Sequence, residues 1–128
     1  MAMTCHSGGT LELFIEPFIP EPYLVVFGDS PVAHALLAIG HTLGFQIVSM
    51  AGGVADAHEV VSNLDLEGLG TVRPVFVVIA SMGVVDEEAL LVALRSNAEY
   101  VALVGSRRRF GSLADYARSQ GISDERIA

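Results

Sequence analysis

The sequence predicts an α/β fold of three layers around a mostly parallel sheet. Three observations predict it. Short, wholly apolar, β-branched runs recur at residues 23–27 (YLVVF), 75–80 (VFVVIA) and 100–104 (YVALV), and runs of that kind suit strands covered on both faces. Each run ends in a small or polar turn, followed by a segment with apolar residues at helical spacing. Residues 23–43 place strand, tight turn and helix in immediate succession, the first half of a βαβ unit.

Taken in order, residues 1–9 (MAMTCHSGG) read as a loop or bend. Residues 10–15 alternate, with Leu11, Leu13 and Ile15 apolar, and predict an entering strand. Residues 16–22 (EPFIPEP) hold three prolines and predict a stiff, extended connector. The chain thus divides into an entering strand and connector (1–22) and a main domain (23–128). The main strands are expected at 24–27, 46–49, 75–80 and 100–104. Ser30 suits a helix N-cap and Pro31 the first helical position; Val32, Leu36, Ile39 and Leu43 then mark the face expected to lie on the sheet, and Gly44 the stop. Asp56 is expected to cap a short helix carrying Val60, Val61 and Leu64. Asp86 reads as the N-cap of a helix that opens with Glu87 and Glu88 and buries Leu90, Leu91 and Leu94. Phe110, Leu113 and Ala117 mark the buried face of the next helix, which Gly121 closes. Residues 122–125 start another, so the C-terminus reads as cut inside an element.

Composition sets limits. The 128 residues fit one domain, and 52% hydrophobic residues supply a core. A formal net charge of -8 argues against general affinity for nucleic acid or anionic membrane. Cys5 is the sole cysteine, which excludes an internal disulfide and fits a reducing cytoplasm. No apolar run is long enough to span a membrane, and no cleavable signal pattern leads the chain.

The turn after the first strand carries the chemical interest. A dinucleotide fingerprint has the pattern G-x-G-x-x-G/A. The matching positions here are Gly28, Asp29, Ser30, Pro31, Val32 and Ala33. The first glycine and the last small residue are kept; Ser30 replaces the glycine that lets backbone approach a pyrophosphate, and Asp29 places a carboxylate near a helix N-terminus. The acid that grips ribose hydroxyls after the second strand is missing. Two readings stay open: a Rossmann-like turn kept for its shape, or a working site for NAD(P) or FAD. Ser81 stands at the carboxyl end of a later strand, where open α/β sheets bind ligands. Ser106 precedes Arg107, Arg108 and Arg109, three cations in the first turn of a helix, where the dipole disfavours them. Such a cluster suits an anion site, or else a solvated patch paired with acids. Cys5 beside His6 offers a thiolate next to an imidazole, able to bind a metal or attack a sulfur centre, but also readable as an ordinary loop pair. His34 and His41 lack carboxylates at matching spacing, and no metal-ligand set is expected.

The segments CHSGGTLELFIEPFIPEP, LVVFGDSPVAHALLAIGHTLGF, VFVVIASMG, DEEALLVAL and YVALVGSRRR together resemble the XdhC/CoxI family over nearly the whole chain. The resemblance implies the C-terminal Rossmann-like domain of a maturation factor for molybdenum hydroxylases of the xanthine dehydrogenase or carbon monoxide dehydrogenase type. It implies a protein that binds molybdenum cofactor and assists its sulfuration or insertion, a chaperone more than a turnover enzyme. The implied partners are the apo-hydroxylase and a separately supplied N-terminal-type domain; self-association is also expected. By position, Cys5 is the implied thiol near the cofactor. Ser106, Arg107 and Arg108 are implied to hold a phosphate or pterin-linked anion near the turn formed by Gly28, Asp29, Ser30 and Pro31, with Ser81 at the same edge. A domain without ligand that docks a hydroxylase subunit is the further alternative.

Overall fold

The structure is a computed structural model that describes residues 8–50, 59–61, 66, 69, 72–83 and 85–128. Five strands form one parallel sheet: β1 (Tyr23–Phe27), β2 (Gln46–Met50), β3 (Glu59–Val61), β4 (Val75–Ile79) and β5 (Tyr100–Leu103). Their spatial order is β3-β2-β1-β4-β5. Four helices accompany them: α1 (Pro31–Thr42), α2 (Asp86–Arg95), α3 (Arg107–Ser119) and α4 (Asp124–Ile127). The chain moves outward from β1 through β2 to β3, then crosses back to β4 on the other side of β1. The strand order therefore reverses between β1 and β4, and a crevice opens beyond the carboxyl ends of strands at such a point.

Alternation along β1 sorts the two cores. Leu24 and Val26 cluster with Ala33 and Leu37 of α1 and with Ile47 and Ala80. Val25 and Phe27 cluster with Val48, Met50, Val77 and Ile79, under Ala89, Leu90, Ala93 and Leu94 of α2 and Leu113 and Ala117 of α3. The sheet is the middle layer of three, as its apolar runs require. Arg126 of α4 ties the C-terminal end of α2: its guanidinium donates to the carbonyls of Leu94, Ser96 and Ala98 at 3.1, 3.1 and 2.7 Å. Those carbonyls lie in or just beyond the last helical turn, where helical partners run out, so the cation satisfies them.

Several expectations change. Residues 10–15 do not form a strand: residues 8–22 lie outside helix and strand, and Leu11, Leu13, Phe14, Ile15, Phe18 and Ile19 are exposed. Pro17, Pro20 and Pro22 separate this segment from β1 and have no N–H to offer a ladder. The expected helix over Val60 and Val61 is instead strand β3, paired with β2, in line with the β-branched side chains there; Asp56 and Leu64 lie outside the described residues. The inner face of α1 is set by Ala33, Leu37 and Gly40, not by Val32, Ile39 and Leu43, which are exposed. Small residues decide this. A Cβ on Gly40 would stand 2.5 Å from Leu24 Cδ2 and 2.9 Å from Ile47 Cδ1, so the helix seats deeply only on the face that carries the glycine. On α3, Leu113, Ala114 and Ala117 are buried, while Phe110 stays 52% exposed beside a groove of about 310 Å³ along β5.

Among the described residues no helix is long and apolar enough to cross a membrane.

Gly28 joins the two halves of the sheet. Its φ is +115°, a conformation that suits glycine alone. A Cβ there would meet the Ala80 carbonyl oxygen and Ser81 Cα, both at 2.5 Å. Those atoms are backbone and cannot rotate away. Gly28→Ala is therefore expected to cost about 2–4 kcal/mol, from a strained dihedral and an overpacked contact together. Urea unfolding of the variant checks this; an unchanged midpoint would contradict the packing described.

Candidate functional site

The loops that leave β1, β4 and β5 meet at the carboxyl edge of the sheet. Between them lies a crevice of about 400 Å³, lined by Ser30 and Val32 after β1, by Ala80, Met82, Gly83 and Asp86 after β4, and by Val104, Gly105, Ser106 and Arg109 after β5. Its size falls within the range of small-molecule sites. Its position is the switch point between β1 and β4.

Each loop has a local reason for its shape. Ser30 is the N-cap of α1: its backbone is extended, and its Oγ accepts from Ala33 N at 3.1 Å. Pro31, at the first helical position, has no N–H to give. Of the first three helical residues only Val32 therefore keeps a backbone donor outside the helix and its cap. Ser106 plays the same part for α3, accepting from Arg109 N at 3.2 Å. Both helix N-termini that reach the crevice are capped by their own serines, so each offers fewer free donors than a glycine-rich turn.

The β4 loop is built around a buried acid. Met82 and Gly83 both have positive φ, at 56° and 99°, which turns the chain sharply and exposes Met82 on the crevice wall. Ser81 is turned inward. It donates through Oγ to Asp86 Oδ1 and accepts from Val85 N at 3.3 Å. Asp86, expected as a cap, is instead the first residue of α2, with Val85 in the cap position and making no side-chain cap bond. Its carboxylate is only 3% exposed, and it accepts from Arg109 Nε at 3.2 Å through Oδ2. The pair links the β4 loop to the first turn of α3. Arg109 also borders a second depression shared with Gly83, Val85, Glu87 and Glu88, so its guanidinium forms the wall between the crevice and an acidic surface.

The residues singled out in the sequence separate here. Ser30 and Ser106 line the crevice. Gly28 lies beneath it and serves the close approach of two turns. Asp29 is exposed and bonded to His34 Nε2 at 2.6 Å, so its carboxylate is engaged by an imidazole outside the crevice lining. Arg107 and Arg108 are exposed and do not line it. Ser81 supports Asp86 from below. Cys5 lies outside the described residues. The arginine that does reach the site is Arg109, together with Asp86, Val32, Met82 and Val104. Helical periodicity carries the signal for Arg109: it stands one turn before Leu113, on the face that α3 buries.

Among protein families, the XdhC Rossmann domain matches residues 24–128. The chain belongs to that family. No curated protein matches the chain. Among solved structures, it is similar to one described as a xanthine dehydrogenase from Bacillus halodurans, with 25% identity and a TM-score of 0.60. The likeness covers 75% of this chain and 33% of that one, so the chain spans about a third of that protein's length.

As an XdhC domain, the chain holds an unevenly polar crevice. Arg109, Ser30 and Ser106 supply charge and hydroxyls, while Val32, Met82, Ala80 and Val104 supply apolar surface. This donor set fits an anionic group joined to a flat or apolar body. Among the described residues no cluster of three or more His, Cys, Asp or Glu is placed to hold a metal ion.

The caps give a direct test. Ser30→Ala is expected to lower stability by about 1 kcal/mol, and Ser30→Gly by only about 0.3 kcal/mol. Urea denaturation of the two variants checks this; equal losses would mean that the Ser30 hydroxyl does not cap α1.

Proposed function

We propose that this protein is an accessory factor in the maturation of a molybdenum hydroxylase, and that its crevice receives the anionic end of the molybdenum cofactor. Membership of the XdhC family supports the maturation role. Likeness to a structure described as a xanthine dehydrogenase supports the link to that class of enzyme. The observation that carries the site is the meeting of Arg109, Ser30 and Ser106 at the switch point of the sheet.

In this reading Arg109 binds a phosphate oxygen pair through its guanidinium. Ser30 and Ser106 line the same space, and Met82 and Val32 would hold the pterin body. The bound cofactor supplies the redox chemistry of the recipient hydroxylase. The protein binds it, shields it and releases it to the apo-enzyme, with Cys5 as the thiol available to sulfuration. The missing glycine and ribose-binding acid weigh against ordinary NAD(P) or FAD use of the same turn.

The test is retention. The full chain, incubated with molybdenum cofactor and passed through gel filtration, is expected to carry molybdenum in its peak. Arg109→Ala is expected to reduce the retained fraction about ten-fold or more, the scale of a lost charge-assisted bond. A wild-type peak free of molybdenum would remove the proposal, and so would equal retention by the variant.

A further inference from the structure

We infer that Asp86, seated on Ser81, is the positioning residue of the crevice: it orients the Arg109 guanidinium for a phosphomonoester. The inference deepens the anion-site reading above and rests on it. Three observations lead there. Asp86 is the one buried carboxylate among the described residues, 3% exposed. Both of its oxygens are engaged, Oδ1 by the Ser81 hydroxyl and Oδ2 by Arg109 Nε. The Arg109 side chain it holds is 38% exposed, and Arg109 lines the crevice.

The choice of nitrogen matters. Asp86 takes the Nε–H, and among the described residues no acceptor is bonded to the terminal nitrogens of Arg109. A guanidinium has five donors in one plane. With Nε fixed, the plane is fixed, and the two terminal nitrogens remain as a fork for two oxygens of one tetrahedral anion. Ser106 contributes through the same turn: its Oγ holds Arg109 N, so backbone and side chain of this arginine are both restrained.

Charge alone does not account for such an arrangement. Asp86 cancels the charge of Arg109, and Glu87 and Glu88 border the depression on its far side. A site that worked by positive potential would omit these acids. A site that works by geometry tolerates them, because a prepaid orientation saves the cost of ordering a long side chain on binding.

The two explanations predict opposite results for Asp86→Asn. Removing a negative charge beside a purely electrostatic site tightens anion binding. Releasing a positioned guanidinium weakens it, by roughly 3- to 10-fold on the scale of one side chain left to be ordered. The experiment titrates the full-length chain with inorganic phosphate, reading the amide NMR signals of Val32, Gly105 and Ser106 at constant ionic strength. Asp86→Asn is expected to weaken binding by that factor. Arg109→Lys, on a side chain 38% exposed, keeps the charge but loses the fork, and is expected to weaken it at least as much. Unchanged or tighter binding by Asp86→Asn, or unchanged binding by Arg109→Lys, would overturn the inference while leaving an anion site in place. Saturation shifts absent from the wild type would overturn the anion site and the inference together. A parallel titration compares a pterin monophosphate with the same pterin lacking phosphate. Weakening of phosphate and pterin monophosphate alike, with no preference for the pterin, supports the positioning role and counts against the cofactor reading alone.

Discussion

The close passage of Gly28 over the backbone of Ala80 and Ser81 underlies the rest of the molecule. β1 and β4 are neighbours in the sheet but distant in the chain, and their loops depart at almost the same point. Only a residue without a Cβ, in a conformation closed to other side chains, lets both loops turn there. From that junction α1 leaves on one face and α2 on the other. The space left above it is the crevice. The first glycine of the turn is therefore a requirement of the scaffold before it is a requirement of any ligand. This explains how the motif keeps Gly28 and Ala33 while losing its middle glycine.

Much of this was legible in the sequence, for physical reasons that can be named. Buried parallel strands need unbroken apolar runs, and β1, β4 and β5 stand where such runs stand. The caps at Ser30 and Ser106 follow from hydroxyl side chains directly before helical segments. Where the reading failed, two chemistries competed. On α1, large apolar residues lie at helical spacing on one face and small ones on another. Side-chain size suggested the first, and close helix-to-sheet packing selected the second. At residues 59–61, a stretch with mixed patterning joined the sheet edge beside β2, in line with its two β-branched residues.

The site was half legible. Ser30, Ser106 and an arginine after Ser106 were all in view. Which arginine faces inward depends on the rotation of α3, and that rotation is set by Leu113 and Ala117 in the core. Asp86 was hidden by a sufficient explanation: an acid in the first turn of a helix needs no other purpose. Its burial, and its bonds to groups five residues before and 23 residues after it, are tertiary facts. No spacing rule would have announced them. The same holds for Asp29, whose carboxylate stands near a helix N-terminus in the sequence. A histidine one turn into α1 bonds it instead, because the helical path brings residue 34 back over residue 29.

The seat of Gly40 carries a consequence for how this chain can change over time. Leu24, Gly40 and Ile47 share a single allotment of space between helix and sheet. No one of the three is free to grow unless another shrinks in the same lineage. Substitutions there should arrive as matched sets, because a lone methyl gained at position 40 would have to push aside the ends of the Leu24 and Ile47 side chains that now fill that space.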